Sequence, residues 1–168
     1  LEYRGYDSAG ISAIKNRKIE RCRAAGKLSN LERALVKQPI SGSIGIGHTR
    51  WATHGVPSVE NAHPHVSGQV AVVHNGIIEN YQQLKEELAN DGITMQTETD
   101  TEVVAHLANA YLQAGMQPKE MMEALLSKIQ GAFALLIMMA QHPDTLLAAR
   151  KYSPLAIAYG DDEMFLGS

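Results

Sequence analysis

Short apolar stretches separated by turn-forming residues recur along the 168-residue chain and predict a domain of mixed strands and helices. The predicted strands span residues 10–15, 18–23, 43–47, 69–74, 132–140, 145–149, 154–159 and 164–166. The first two are predicted to form a hairpin around the turn-prone pair Asn16 and Arg17. Apolar positions at helical spacing predict a short helix opened by a capping box of Ser29 and Glu32, helices over residues 81–90 and 101–114, and a further helix from Pro118. This pattern indicates an α+β layered domain.

The composition favours a soluble globular domain over a membrane protein or a general nucleic-acid-binding protein. The chain is long enough for one domain, and its 45% apolar and 20% charged residues are typical of a soluble globular protein. Its longest apolar run, Ala132–Ala140, is too short for a membrane helix, and no signal-peptide pattern opens the sequence. The net charge of −3 argues against general nucleic-acid binding. The single cysteine, Cys22, cannot form an internal disulfide and favours a cytoplasmic setting.

The segment from His48 to Gly55 follows a predicted strand and contains Arg50, Trp51, Thr53 and His54. A guanidinium group matches a carboxylate through two parallel hydrogen bonds, and the threonine and histidine add further donors. The segment therefore suits a small carboxylate-bearing ligand. A solvated loop with the tryptophan packed beneath it explains the same composition.

Asn75 and Gly76 follow the predicted strand over residues 69–74. An Asn-Gly pair usually forms the turn of a β-hairpin. However, the residues after it do not resemble a returning strand, and a side-chain amide beside a backbone N–H can also form an oxyanion hole.

Asp100 lies in the segment Glu98–Glu102, at the start of a predicted helix. Capping of the helix N-terminus accounts for Thr99, Asp100 and Glu102. The carboxylate of Asp100 can instead bind the ammonium group of a ligand.

Neither a metal nor another cofactor is predicted. His63 and His65 have a spacing seen in some zinc sites, but the sequence contains neither an HExxH motif nor a cysteine pair. Gly45 and Gly47 lack the third glycine of a dinucleotide-binding fingerprint.

Several motifs occur in a fixed order along the chain. They are Leu1–Gly10, His48–Gly55, Asn61–His65, His74–Asn80 and Glu98–Glu102. This series resembles the glutaminase domain of the glutamine–fructose-6-phosphate aminotransferases, and the likeness continues through His142–Arg150 and Ser153–Leu155. The string Arg50–Gly55 distinguishes this family from other class II amidotransferases. The resemblance covers essentially the whole chain.

The resemblance implies an N-terminal-nucleophile hydrolase fold, a four-layer αββα sandwich with two antiparallel sheets. In this family an N-terminal cysteine attacks the side-chain amide of L-glutamine, with its own α-amine as the base. Ammonia leaves, and water then releases glutamate from the thioester. In the full enzyme, usually a homodimer in bacteria, ammonia passes to sugar-isomerase-type domains that convert fructose 6-phosphate to glucosamine 6-phosphate.

The resemblance also assigns roles to the candidate residues. The side chain of Asn75 and the backbone N–H of Gly76 are expected to form the oxyanion hole. Asp100 is expected to bind the α-ammonium group of glutamine.

The remaining expected contacts come from the segment after the third predicted strand. Arg50 is expected to bind the α-carboxylate of glutamine, with help from Thr53 and His54. Trp51 is expected to lie in a loop that closes over the substrate.

One feature of the family pattern is missing, because the sequence begins at Leu1 and Cys22 is internal. We therefore expect a glutaminase domain over residues 1–168 that lacks the nucleophile strand and the last strands, without the sugar-isomerase-type domains. This polypeptide alone is expected to be inactive. A non-catalytic glutamine- or glutamate-binding module is the alternative, and a Met-Cys-Gly-Ile start upstream would distinguish the two.

Overall fold

A computed structural model of the chain describes residues 6–51 and 55–168. The described residues form nine strands and four helices. The strands are β1 (Ser8–Lys15), β2 (Lys18–Ala25), β3 (Gly45–Arg50), β4 (His65–Ser67), β5 (Val70–Ile78), β6 (Gly131–Met139), β7 (Leu146–Lys151), β8 (Ala156–Tyr159) and β9 (Met164–Gly167). The helices are α1 (Leu28–Lys37), α2 (Tyr81–Asn90), α3 (Thr101–Gln113) and α4 (Pro118–Lys128).

The first sheet is antiparallel and has the strand order β2-β1-β3. Its hairpin turns at Asn16 and Arg17, whose φ angles of 51° and 57° are those of a two-residue turn that suits the twist of the strands. The predicted hairpin is confirmed. α1 begins at Leu28, after the N-cap residue Lys27, and Ser29 lies inside the helix, so the predicted capping box at Ser29 is wrong. The first N–H of the helix, that of Leu28, donates to the Tyr6 hydroxyl at 2.7 Å.

The second sheet is also antiparallel and has the order β4-β5-β6-β7. β5 does not turn at Asn75 and Gly76; it continues to Ile78 and stays paired with β6 throughout. The hairpin interpretation is therefore wrong. The glycine is needed for a different reason: at φ 133°, a Cβ on Gly76 would lie 2.1 Å from the carbonyl oxygen of Ala132 on β6.

Three apolar clusters define the layers. One joins α1 to the first sheet, around Leu31 and Ala9. A second fills the space between the two sheets, where Ile14 and Ile46 face Val73. The largest lies between the second sheet and helices α2, α3 and α4. This helix–sheet–sheet–helix arrangement confirms the predicted αββα sandwich.

Two arginines on β2 hold the loop before β4 against the first sheet. Arg23 donates from Nη1 to the carbonyl oxygens of Glu60 and Ala62, each at 2.8 Å, and Arg21 donates to that of Pro64. The loop lies so close that a Cβ on Gly10 would be 2.2 Å from the carbonyl oxygen of His63. The close approach of the loop to the first sheet leaves His63 buried in the interior of the domain.

Strands β8 and β9 form a separate two-stranded sheet, which is mostly exposed. Within the part of the chain that the structure describes, no helix is long and apolar enough to cross a membrane.

Gly131 provides a test of the close pairing between β5 and β6. Its φ is 125°, and a Cβ would lie 2.1 Å from the carbonyl oxygen of Ile77, so Gly131→Ala should destabilise the domain by roughly 3 kcal/mol. Gly92→Ala is the matched control, because Gly92 has a φ of 79° but open space around it. The control should cost only about 1 kcal/mol in urea unfolding. Equal costs would contradict the steric argument.

Candidate functional site

A cavity of about 560 Å³ opens between the end of β3, the far half of β5 and the start of α3. It brings together five of the seven residues that the sequence predicts for the site. These are Arg50, Trp51, Asn75, Gly76 and Asp100. The other two, Thr53 and His54, lie outside the described residues.

Arg50 ends β3 and is buried, with 3% of its surface exposed. Its Nη1 lies 3.2 Å from Oδ1 of Asp7, and its Nη2 donates to the carbonyl oxygen of Gly55 at 2.8 Å. These contacts fix the plane of the guanidinium group at the cavity wall. Trp51, the next residue, is 70% exposed at the same wall.

Asp100 immediately precedes α3 and is also buried. No side chain caps this helix, so capping by Asp100 is the wrong interpretation. Its Oδ2 instead accepts the backbone N–H of Ile78 at 2.7 Å, and the Thr101 hydroxyl donates to Oδ1 at 3.4 Å. The carboxylate thus ties the start of α3 to the end of β5 and lines the cavity.

Asn75 and Gly76 lie side by side on β5, where the strand borders the cavity. The Asn75 side chain is exposed, and its Nδ2 donates to Oγ of Ser168 at 3.3 Å. An amide donor is therefore directed to the open side of the strand. Such a donor next to a backbone N–H is a suitable arrangement for stabilising a developing oxyanion.

A buried network of histidines and threonines surrounds this wall, and the sequence analysis did not predict it. Oγ1 of Thr101 lies 2.9 Å from Nε2 of His63 and 3.0 Å from Nδ1 of His74, while Thr99 binds Nε2 of His65 at 3.0 Å. The Thr101 hydroxyl has one hydrogen and two acceptor lone pairs, so it can serve as the common partner of His63, His74 and Asp100.

The rings themselves are packed together, since those of His48 and His63 stack at 4.4 Å and His65 meets His63 edge-on. Among the described residues, no group of three or more histidine, cysteine, aspartate or glutamate side chains has a geometry that can hold a metal ion. His63 and His65, the spacing considered for zinc, contact threonine hydroxyls instead.

Burial keeps these histidines neutral. It lowers the pKa of His48 to about 4, with a further contribution from the charges of His74 and Arg50. It also lowers the pKa of His65 to about 3 and that of His63 well below its usual range.

Glu102, in the first turn of α3, holds the segment before that helix. Oε1 accepts the backbone N–H of Gln96, and Oε2 accepts the backbone N–H and the hydroxyl of Thr97. Burial alone would raise the pKa of Glu102, but hydrogen bonds from His106, Gln96 and Thr97 outweigh it and lower the pKa to about 2. Glu102 therefore does more than interact favourably with the dipole of α3: its hydrogen bonds attach the preceding segment to the helix.

Comparisons with a family profile and with curated proteins both identify a glutamine amidotransferase domain. A family profile described as a glutamine amidotransferase domain matches residues 48–168. The glutamine–fructose-6-phosphate aminotransferases (isomerizing) of Zymomonas mobilis and Bradyrhizobium diazoefficiens are 56% and 55% identical to the chain. Each alignment covers 100% of this chain and 28% of the relative. The chain therefore spans less than a third of the length of these curated relatives.

Two solved structures are also similar. One is glutamine phosphoribosylpyrophosphate amidotransferase from B. subtilis, with a TM-score of 0.79 and 31% identity. The other is described as the allosteric regulatory enzyme of purine biosynthesis, with a TM-score of 0.82 and 32% identity. In both cases the match covers 99% of this chain and 36% of the solved chain.

The histidine network predicts a loss of stability in mild acid. The folded-state pKa values of His48, His63 and His65 lie below the ordinary 6.5, so the unfolded chain takes up more protons. Stability should be complete above pH 6.5 and fall by about 1.4 kcal/mol per pH unit for each histidine as the pH drops towards 5. Urea unfolding across this interval measures the slope.

The variant His65→Gln should reduce this slope by about one third, because one of the three titrating groups is removed. The glutamine amide can still contact the Thr99 hydroxyl. An unfolding free energy that stays constant between pH 6.5 and about 5 would contradict the argument.

Proposed function

The chain belongs to the glutamine amidotransferase domain family, and from this premise we propose that its cavity binds L-glutamine for release of the side-chain nitrogen as ammonia. One observation carries the proposal: a buried cation, a buried carboxylate and an amide donor meet in a single cavity. They are supplied by Arg50, Asp100 and Asn75.

The charges suit the two ends of an amino acid. Arg50 and Asp100 both line the cavity; Arg50 is proposed to bind the α-carboxylate, and Asp100 the α-ammonium group. Thr53 and His54, outside the described residues, stay assigned to the carboxylate end by resemblance. Trp51 is assigned to the loop that closes over the substrate.

The amide end of glutamine then faces β5. Attack on the amide carbon places a negative charge on its oxygen, and the Asn75 side chain and the Gly76 backbone N–H are proposed to stabilise that charge. Removing one donor of this kind lowers kcat by about 10²–10³-fold in well-studied hydrolases.

The nucleophile is proposed to be a cysteine outside this sequence. Cys22 is buried between α1 and the first sheet, where burial raises the pKa of its thiol, and it does not line the cavity. The proposed thiolate attacks the amide carbon, ammonia departs, and water cleaves the thioester to release glutamate.

We further propose that the domain serves a glutamine–fructose-6-phosphate aminotransferase. The support is the 56% identity over the full chain, against 31% for the solved glutamine phosphoribosylpyrophosphate amidotransferase. In that setting the ammonia is used to convert fructose 6-phosphate to glucosamine 6-phosphate, in a cytoplasmic homodimer and without a bound cofactor.

Calorimetry with L-glutamine tests the binding roles. Arg50→Lys keeps the charge but loses the planar fork, and Asp100→Asn keeps an acceptor for the Ile78 N–H but loses the charge. Each should raise the Kd for L-glutamine by about tenfold. The exposed replacements Arg17→Lys and Asp91→Asn are matched controls and should leave it unchanged.

The same purified chain should bind glutamine without hydrolysing it. Glutamate release that disappears in Arg50→Ala would contradict the external nucleophile. Absence of glutamine binding by the unaltered chain would contradict the proposed function itself.

A further inference from the structure

A pair of side chains holds the loop of residues 55–61. Asn61 is buried, and its Nδ2 donates to Oε2 of Glu98 at 2.9 Å, while its Oδ1 accepts the backbone N–H of Glu98 at 3.0 Å. Glu98 is exposed and lies just before α3. Two reciprocal hydrogen bonds thus connect the loop to a segment 37 residues away in the sequence.

Both residues also bind the backbone of Val56. Its N–H donates to Oε2 of Glu98 at 3.1 Å, and its carbonyl oxygen accepts Nδ2 of Asn61 at 3.0 Å. Gly55 packs against the same pair: at φ 80°, a Cβ there would lie 2.7 Å from Nδ2 of Asn61 and 2.9 Å from Cβ of Glu98. The backbone of residues 55 and 56 therefore has little freedom to move.

This backbone in turn orients Arg50. The carbonyl oxygen of Gly55 accepts Nη2 at 2.8 Å, and that of Val56 accepts Nη1 at 3.3 Å. Asp7 supplies a charge partner at Nη1. The two carbonyl oxygens involve both terminal nitrogens and so contribute, with Asp7, to fixing the plane of the guanidinium group.

We propose that Glu98 and Asn61 are positioning residues that hold the carbonyl groups of Gly55 and Val56 and thereby aim the Arg50 guanidinium at the α-carboxylate of the substrate. The proposal rests on the proposed function for the identity of that ligand. The aiming of Arg50 itself is a property of the free domain and can be measured without a ligand.

Hydrogen bonding, not charge, is the essential contribution of Glu98. A single oxygen accepts both bonds, and glutamine at this position retains an acceptor oxygen. The variant Glu98→Ala removes the acceptor, whereas Glu98→Gln removes only the charge. Because Glu98 is exposed, neither change should unfold the domain.

The first experiment compares two ligands on the purified chain. L-glutamine carries the α-carboxylate, and 4-aminobutanamide retains the amine and the amide but lacks it. Glu98→Ala should raise the Kd for L-glutamine about fivefold to tenfold and leave that for 4-aminobutanamide unchanged. Glu98→Gln should stay close to the unaltered chain, as should Glu86→Ala, an exposed control on α2.

The second experiment needs no ligand. Hydrogen exchange of the Arg50 side-chain N–H groups, followed by NMR, should be slow in the unaltered chain and in Glu98→Gln, and faster in Glu98→Ala. If the chain fails to bind L-glutamine, the proposed function fails, while the exchange rates still decide the positioning role.

Two results would overturn the inference. One is an equal loss of affinity for both ligands in Glu98→Ala, which indicates general loosening of the cavity. The other is an Arg50 exchange rate that Glu98→Ala leaves unchanged.

Discussion

The close pairing of β5 with β6 is the constraint on which the rest of the structure depends. The two strands stay in register from Val70 opposite Met139 to Ile78 opposite Gly131. A Cβ at Gly76 or at Gly131 would lie 2.1 Å from a carbonyl oxygen of the neighbouring strand, so this approach requires glycine at both positions. Because β5 stays extended past its contact with β4, its far half is available to form a cavity wall.

The buried polar groups at the start of α3 complete that wall. A buried carboxylate is costly unless hydrogen bonds compensate for lost water, and Asp100 has the N–H of Ile78 and the hydroxyl of Thr101. The same hydroxyl contacts His63 and His74. Because His74 lies on β5, these hydrogen bonds connect that strand to the start of α3. Asp100 at the cavity wall and the histidines behind it thus belong to one connected set of hydrogen bonds, in which a change at one member affects the others.

The sequence predicts those features that local chemistry decides. The turn at Asn16 and Arg17 and the start of α4 at Pro118 depend on neighbouring residues, and both are confirmed. At Asn75 the local turn signal is overridden by pairing with a strand more than fifty residues away. The bonds between Asn61 and Glu98 join segments that are adjacent only after folding. The family resemblance, based on ordered motifs, named Asn75 and Asp100 where composition alone favoured turn and cap.

The ion pair between Arg50 and Asp7 reduces the net positive charge that Arg50 would present to a carboxylate ligand. The pair lowers the cost of burying the cation, but it also offsets the charge that attracts an anion. In the proposed binding role, affinity for a carboxylate therefore depends on the direction of the guanidinium group more than on net charge. Direction is what the carbonyl groups of Gly55 and Val56 supply, and a lysine ammonium would have no plane for them to orient. If Arg50 binds a carboxylate as proposed, the strength of that binding therefore depends on the backbone of Gly55 and Val56 beside it.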